Sequence, residues 1–375
     1  MHERTDGSVV DSGRSGHVLL AGGGTAGHVH PGLAVGEALA ARGWCVSWLG
    51  RRAGMERDLV TRRGVRYHGL PARALLGRGA AAKAGALATT ALSALRAGVL
   101  VRREEVDAVL GTGGYACAAG VLGARLAGRP AFLLEPNARA GTANRWLARW
   151  SREVFLGFAG TAAEIGAASR YTGVPVRAEF FAAAPLPAPP PRLLVLGGSQ
   201  GALDINRLLP PLVERLAATV GELEVVHQCG AVHREAVESD YAARDLGPVR
   251  VEVTPFIDDM AMAMAACHLV VSRAGALTLA EICAAGRASV LVPLAIAAGH
   301  QRDNAEHLVT AGAAVLATGG AEHAGETADL LADLLKRPER LAAMGAAARA
   351  LARPDAAAGI ADAMVAALGT PGEGR

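Results

Sequence analysis

The 375-residue chain is poor in aromatic side chains, at 4% of its length, and holds no cysteine pair in C-x-x-C spacing. Its five cysteines, Cys45, Cys117, Cys229, Cys267 and Cys283, are odd in number and scattered, which argues against both a disulfide framework and a zinc site. They read as small buried hydrophobes. The first sixteen residues lack the apolar core of a signal peptide, so they are expected to be a disordered tail and the protein to stay in the cytoplasm. Segment 70–101 lacks an uncharged run long enough to span a bilayer, because Lys83 and Arg96 interrupt it. Acidic residues are missing from Leu59 to Arg103, a stretch carrying Arg62, Arg63, Arg66, Arg73, Arg78, Lys83, Arg96, Arg102 and Arg103. The net charge of +3 is therefore unevenly placed, and one face of the N-terminal half is expected to be strongly positive. With Leu75, Leu76, Leu87, Leu92 and Leu95 beside those cations, an interfacial role on anionic lipid fits, the alternative being a solvated basic face over an ordinary helix. Nucleic acid does not fit, since almost nothing in the stretch can stack on bases.

What the chain does have is length for two domains, each with its own core. Short apolar runs alternate with longer stretches of helix formers: HVLLAG, CVSWLG, DAVLGTG, AFLLEP and EVFLGF in the first half, then RLLVLGG, LEVVHQCG, VRVEVTPF, HLVVSRAG and ASVLVP. Strands separated by helices build parallel sheets from βαβ units, and strands apolar throughout are those covered on both faces. The proline cluster AAAPLPAPPPR at 182–192 can be neither helix nor central strand and fits a surface segment just inside the second domain. Directly after it, RLLVLGGSQGALDINRLL repeats the strand, glycine loop and helix of HVLLAGGGTAGHVHPGLAV, so the fold class is α/β with two similar lobes. The expected division is a tail 1–16, a first lobe 17–176 and a second lobe 177–353. A closing helix 355–368, after the break at Pro354, is expected to return to the first lobe.

Gly22, Gly24 and Gly27 in AGGGTAGHVHPG spell G-x-G-x-x-G, and three chemistries compete for that loop. A Walker A loop needs a lysine after its last glycine, where this chain has His28, so that reading fails. A dinucleotide fingerprint wants an acidic residue at the end of the second strand. Gly50-Arg51-Arg52 stand there instead, and two arginines suit the 2′-phosphate of NADP, which keeps an oxidoreductase open. The third chemistry rests on His28. A glycine loop brings backbone N–H groups and a helix N-terminus close to a ligand, and an imidazole at its edge takes a proton from a hydroxyl near neutral pH. The alternative is a packed or capping histidine. His30 makes an H-x-H pair, but no carboxylate stands beside it to complete a metal site.

The second half carries a more specific set. SRAGALTLAEICAAG, 272–286, follows an apolar strand and opens a helix near Ala276, so the N–H groups of Ala276, Leu277 and Thr278 point at an anion with the helix dipole behind them. Glu281, one turn further in, can accept two ribose hydroxyls, or it is a first-turn glutamate favoured by the dipole alone. In GHQRDNAEHL, Gln301 and Asn304 lie three apart on one helical face, where amides read sugar hydroxyls or form an ordinary polar cap. Ser199 in GGSQG can reach the same diphosphate, or belong to a tight turn.

Taken in order over about residues 17–312, GGGTAGHVHPGLAVGEAL, GTGGYAC, EPNARAGTANRWLA, TGVPVR, GGSQGALDIN, FIDDMA, SRAGALTLAEICAAG and HQRDNAEHL resemble the motif sequence of the MurG family. The resemblance implies the GT-B fold: two Rossmann-like lobes, the donor held mainly by the C-terminal one and the acceptor in the cleft toward the N-terminal, membrane-facing one. It implies transfer of N-acetylglucosamine from UDP-GlcNAc to lipid I, undecaprenyl-diphospho-N-acetylmuramoyl-pentapeptide, giving lipid II for peptidoglycan. It also implies inversion at the anomeric carbon without a metal or other cofactor, by a peripheral enzyme on the cytoplasmic face of the cell membrane. No D-x-D element follows any expected strand, which agrees.

By motif, Thr25, Ala26 and Gly27 form the loop beside the transferred sugar, and His28 is the base. Asn137 and Arg177 resemble donor-contacting positions. Ser199 and the turn Ala276-Leu277-Thr278 hold the diphosphate, Ile257 meets the uracil through its backbone, Glu281 the ribose and Gln301 the GlcNAc hydroxyls. Against the family's pattern, Ala26 replaces a glycine and is strained if that position needs φ > 0. Pro136 and Val174 replace Gln and Asn, and GTGGYAC lacks the Ser-Gly-Pro that commonly follows GGY. A related GT-B enzyme with another acceptor and a non-catalytic UDP-sugar-binding protein complete the alternatives.

Overall fold

A computed structural model describes residues 16–70, 80–182, 185–198, 200–294 and 300–369, with backbone alone for 80–87. The tail 1–15, Leu75, Leu76, the side chain of Leu87, and Ser199 therefore lie outside the described residues. Two parallel sheets organise the rest. The first holds β1 (His17–Gly22), β2 (Cys45–Arg51), β3 (Arg66–Leu70), β4 (Ala108–Gly113), β5 (Ala131–Glu135), β6 (Glu153–Leu156) and β7 (Ser169–Tyr171), in the order β3-β2-β1-β4-β5-β6-β7. The second holds β8 (Arg192–Leu196), β9 (Glu224–Gln228), β10 (Arg250–Thr254), β11 (Leu269–Ser272), β12 (Ala288–Leu291) and β13 (Ala314–Leu316), in the order β10-β9-β8-β11-β12-β13.

Helices connect the strands. Those of the first lobe are α1 (Ala26–Ala40), α2 (Glu56–Thr61), α3 (Ala80–Arg103), α4 (Tyr115–Ala127), α5 (Thr142–Ala148) and α6 (Ala162–Ile165). The second lobe has α7 (Leu203–Val220), α8 (Arg234–Ala242), α9 (Met260–Ala265), α10 (Ala276–Ala285), α11 (His300–Thr310), α12 (Ala324–Leu335) and α13 (Pro338–Leu351). A last helix, α14 (Ala356–Leu368), crosses back and packs against the first sheet.

The central strands β1, β4, β5, β8, β11 and β12 are mostly apolar because both faces are covered. Along β1, Leu19 and Ala21 join Val109 and Leu133 under α3 and α4, while Val18 and Leu20 join Leu110, Leu134 and Trp48 under α1 and α14. Each such Val or Leu side chain, fully withdrawn from water, contributes roughly 1.5–3 kcal/mol. In each sheet the strand order reverses once, between β1 and β4 and between β8 and β11. Open α/β sheets bind ligands beyond the carboxyl ends of the strands at that reversal. The four loops leaving these strands, 22–25, 113–114, 197–202 and 273–275, carry the glycine motifs singled out in the sequence, and β8, β9 and β11 aim their C-terminal ends at the same cleft as β1.

Candidate active site

The glycine loop after β1 is held from three sides. Gly23 and Gly24 carry φ of 156° and 90°, and Ala26 opens α1 with an ordinary backbone, so the replacement of glycine at 26 brings none of the strain it threatened. Glu56, fully buried, accepts the N–H of Gly24 at 3.2 Å and of Arg51 at 2.8 Å, and the indole of Trp48 donates to the carbonyl of Gly22 at 3.1 Å. The guanidinium of Arg51 stands beside Glu56 and over the ring of Tyr115. It steadies the loop, a use the NADP reading did not foresee.

Across the strand reversal, Gly113 has φ 107°, and a Cβ there would fall 2.4 Å from Nδ1 of His28. The absence of that side chain lets the imidazole lie flat on the end of β4. His28 is the third residue of α1; its Nδ1 is buried and has no hydrogen-bond partner. Burial lowers its pKa, with Glu135 and the Thr112 backbone pulling the other way, so the ring is neutral at pH 7 and able to take up a proton.

Glu135, buried at the end of β5, organises the next loop. Its Oε1 accepts the backbone and side-chain N–H groups of Asn137, both at 3.0 Å, and its Oε2 those of Gly141 and Asn144, both at 2.9 Å. The side-chain oxygen Oδ1 of Asn137 in turn accepts from Nδ2 of Asn304 at 3.2 Å. Asn304 also accepts the N–H of Ala138 at 2.7 Å and donates to the carbonyl of Ala274 at 3.1 Å. It is thus fully buried between the lobes and is not the sugar-reading partner of Gln301 that their spacing proposed. An ion pair of Arg139 with Asp303 at 2.8 Å and the edge-on rings of Phe158 and His307 complete this junction.

On the opposite wall, α10 begins after Gly275 with no side-chain cap and no acidic residue in its first turn. The N–H groups of Ala276, Leu277 and Thr278 have no intrahelical acceptors, and the positive end of the helix dipole faces the cleft. Glu281 is buried one turn inward. Burial pushes its carboxyl up to about 8, Arg177 pulls it down and Glu179 pushes it up again. Arg177 pairs with Glu179 at 3.1 Å and lies over the ring of Phe180, yet its buried Nε has no partner. Gln301 uses its side-chain oxygen to accept the N–H of Leu294 at 3.0 Å, and among the described residues no acceptor meets its amide hydrogens.

These groups line one cleft of about 670 Å³ between the lobes, and every residue assigned a role by motif, Ser199 apart, lies on its wall: Thr25, Ala26, Gly27, His28, Asn137 and Arg177, then Ile257, Ala276, Leu277, Thr278, Glu281 and Gln301. Buried polar atoms without partners gather there too, on His28, His30, Arg177, Gln228 and His300. Such atoms are costly to leave unmade, and a bound polar ligand supplies what they lack. Gln228 was not among the candidates. It closes β9, fully buried, with Nε2 donating to the carbonyl of Gly198 at 3.1 Å and Oε1 unpartnered. An amide ending an otherwise apolar strand beside a glycine loop was its signal.

Comparison with known proteins matches residues 18–156 to the glycosyltransferase family 28 N-terminal domain and 192–360 to the family 28 C-terminal domain. A curated relative from Halorhodospira halophila, named UDP-N-acetylglucosamine--N-acetylmuramyl-(pentapeptide) pyrophosphoryl-undecaprenol N-acetylglucosamine transferase, is 44% identical over 349 residues, covering 90% of this chain and 95% of its own. Its namesake from Stutzerimonas stutzeri is 43% identical over 350 residues, covering 92% of this chain and 97% of its own. The crystal structure of Acinetobacter baumannii MurG superposes with a TM-score of 0.75 at 34% identity, over 93% of this chain and 99% of that one.

Proposed function

The chain belongs to the MurG family of glycosyltransferases, and from that premise we propose how its cleft works. The protein transfers N-acetylglucosamine from UDP-GlcNAc to lipid I, forming lipid II for peptidoglycan. The observation that carries the assignment of roles is the pairing of an uncapped helix end on one wall with a neutral, unpartnered imidazole on the other. UDP-GlcNAc lies on the second lobe, with its diphosphate on the N–H groups of Ala276, Leu277 and Thr278, its ribose hydroxyls on Glu281 and its uracil against the backbone of Ile257. Gln301 and Asn137 hold the sugar.

His28 removes the proton from the acceptor hydroxyl as that oxygen attacks the anomeric carbon from the face opposite UDP. The new C–O bond forms, the bond to the β-phosphate oxygen breaks, and the configuration inverts. The proton stays on the imidazole, and the electron pair leaves with UDP. Charge growing on the β-phosphate meets the helix terminus, equivalent to about half a positive charge, and the guanidinium of Arg177. Thr25, Ala26 and Gly27 close the acceptor side of the sugar.

The acceptor is a lipid, and the docking face we propose is α3. Among the described residues no helix is long and apolar enough to cross a membrane. Leu92, Leu95 and Val99 stand exposed along one side of α3, joined by Leu126 of α4, with Arg96, Arg102, Arg103 and Arg125 exposed beside them. Ser93, Ala94, Ala97 and Val101 point the other way, into the lobe. An apolar stripe edged with arginines suits the interface of an anionic, cytoplasm-facing leaflet, each cation there contributing about 1 kcal/mol.

Both parts are tested by following radiolabel from UDP-GlcNAc to a short-chain lipid I analogue in detergent and to full-length lipid I in anionic vesicles. Wild type is expected to label both. The variant Leu92→Glu/Leu95→Glu is expected to label the soluble analogue at the wild-type rate and to lose most transfer in vesicles. Equal vesicle activity removes α3 as the docking face, and release of UDP without labelled lipid product contradicts the transfer reading.

A further inference from the structure

The wall of the second lobe accounts for a nucleotide sugar, but the first lobe lines the same cleft with a cluster that no part of that donor explains. His30 follows His28 by two residues on α1, and Arg62 and Arg63 follow directly on α2. Leu33 and Leu59 fill the floor between the two helices. Nδ1 of His30 is buried and has no hydrogen-bond partner. The guanidinium of Arg62 has no partner among the described residues, and that of Arg63 is met by an exposed carboxylate, Glu37, at 2.6 Å. From the other lobe Arg177 faces the same corner, already paired with Glu179. Burial, Arg177 and Arg63 hold the imidazole of His30 neutral, with its pKa down to about 4. Guanidinium groups beside an unsatisfied N–H donor recognise anions through charge-assisted hydrogen bonds.

We infer that His30, Arg62 and Arg63 form an anion subsite for the acceptor, which takes the diphosphate of the polyprenyl-diphospho-sugar and turns its hydroxyl toward His28. This rests on the transfer reading above. The placement agrees with the acceptor's chemistry, since its diphosphate hangs from the same sugar ring as the reacting hydroxyl. The donor's own diphosphate is already met by the end of α10.

The test uses the full chain and its Arg62→Gln/Arg63→Gln variant, whose replaced side chains are exposed and outside the core. The acceptor KM should rise about 10- to 100-fold, the size expected for two charge-assisted contacts, while donor KM and kcat at saturating acceptor stay within about twofold. Added salt should weaken wild-type acceptor binding more than that of the variant. An unchanged acceptor KM, or a donor KM that rises with it, overturns the subsite. With an acceptor analogue that keeps the diphosphate but has its peptide removed, the defect should persist. If it vanishes, the arginines meet peptide carboxylates and the diphosphate assignment falls. A binding readout separates this claim from the transfer reading: without donor, the acceptor analogue should shift the ring proton resonances of His30 in wild type, and a ring that does not respond overturns the subsite whether or not transfer occurs. His30→Gln, which keeps a donor, should bind the analogue better than His30→Ala; equal affinity removes His30 from the subsite.

Discussion

His28→Ala lowers kcat by about 10²- to 10⁴-fold, the range for loss of a positioned general base, and leaves UDP-GlcNAc affinity and Tm close to wild type. The separation follows from where the ring sits. It lies on Gly113 at the wall of the cleft with its buried Nδ1 unpartnered, outside the hydrophobic clusters that hold the lobe together. A purely structural histidine would give the reverse pattern, a fall in Tm with kcat preserved in the folded fraction. The pH profile adds a second reading. Burial lowers the pKa of His28 from its ordinary value near 6.5, so the ring is already in its basic form at neutral pH. The acid limb of the wild-type kcat profile should fall below pH 6.5, and that limb should be absent in the alanine variant. Steady-state kinetics across pH, with calorimetry on both proteins, measures all three quantities.

Glu281→Gln weakens UDP-GlcNAc binding by about 10- to 100-fold, the cost of exchanging a charged acceptor of two hydroxyls for a neutral one. The wild-type carboxyl is pushed up to about 8 by burial, with Arg177 and Glu179 acting in opposite senses. Only the ionised form accepts both ribose hydroxyls. Wild-type donor affinity should therefore rise by up to about tenfold for each pH unit below 8 and level off above it, and the glutamine variant should show no such slope. Stability runs the other way. The folded, empty protein keeps a proton on Glu281 that the unfolded chain releases near its ordinary pKa of about 4.5, so the stabilising contribution of this group is present below that value. It is lost as pH rises toward 8. The glutamine variant should remove this loss and melt higher than wild type at pH 8 when empty. A titration showing wild-type affinity, flat with pH, would take Glu281 out of the donor site.

The glycine loops, His28 and the helix beginning at Ala276 were legible because each is a local motif at a strand end, where sequence order and spatial position coincide. The apolar runs were legible for β1, β2, β4, β5, β6, β8, β9, β11 and β12, since those strands are largely buried between helices, and VRVEVTPF marked β10 although that edge strand is half exposed. The runs did not reveal β3, β7 and β13. Each is a sheet edge, and RYHGL and SRY are polar and half exposed, so they carry neither a continuous apolar run nor clean alternation. Glu56, Glu135 and the junction role of Asn304 escaped for another reason. Their partners lie on other segments, and a buried carboxylate that collects backbone N–H groups leaves no periodic trace. Asn304 shows the limit of spacing: three residues from Gln301 put both on one side of α11, but the lobe junction claims one and the cleft the other.

The proposition beneath all of this is that a nucleoside diphosphate rests on the open end of α10 with the imidazole of His28 facing its sugar. A crystal structure of the full chain with UDP-GlcNAc bound measures that directly. The account predicts phosphate oxygens within about 3 Å of the N–H groups of Ala276, Leu277 or Thr278 and the anomeric carbon turned to the His28 side, with room between for a hydroxyl. Phosphates held elsewhere in the cleft, or a sugar facing away from α1, would contradict it.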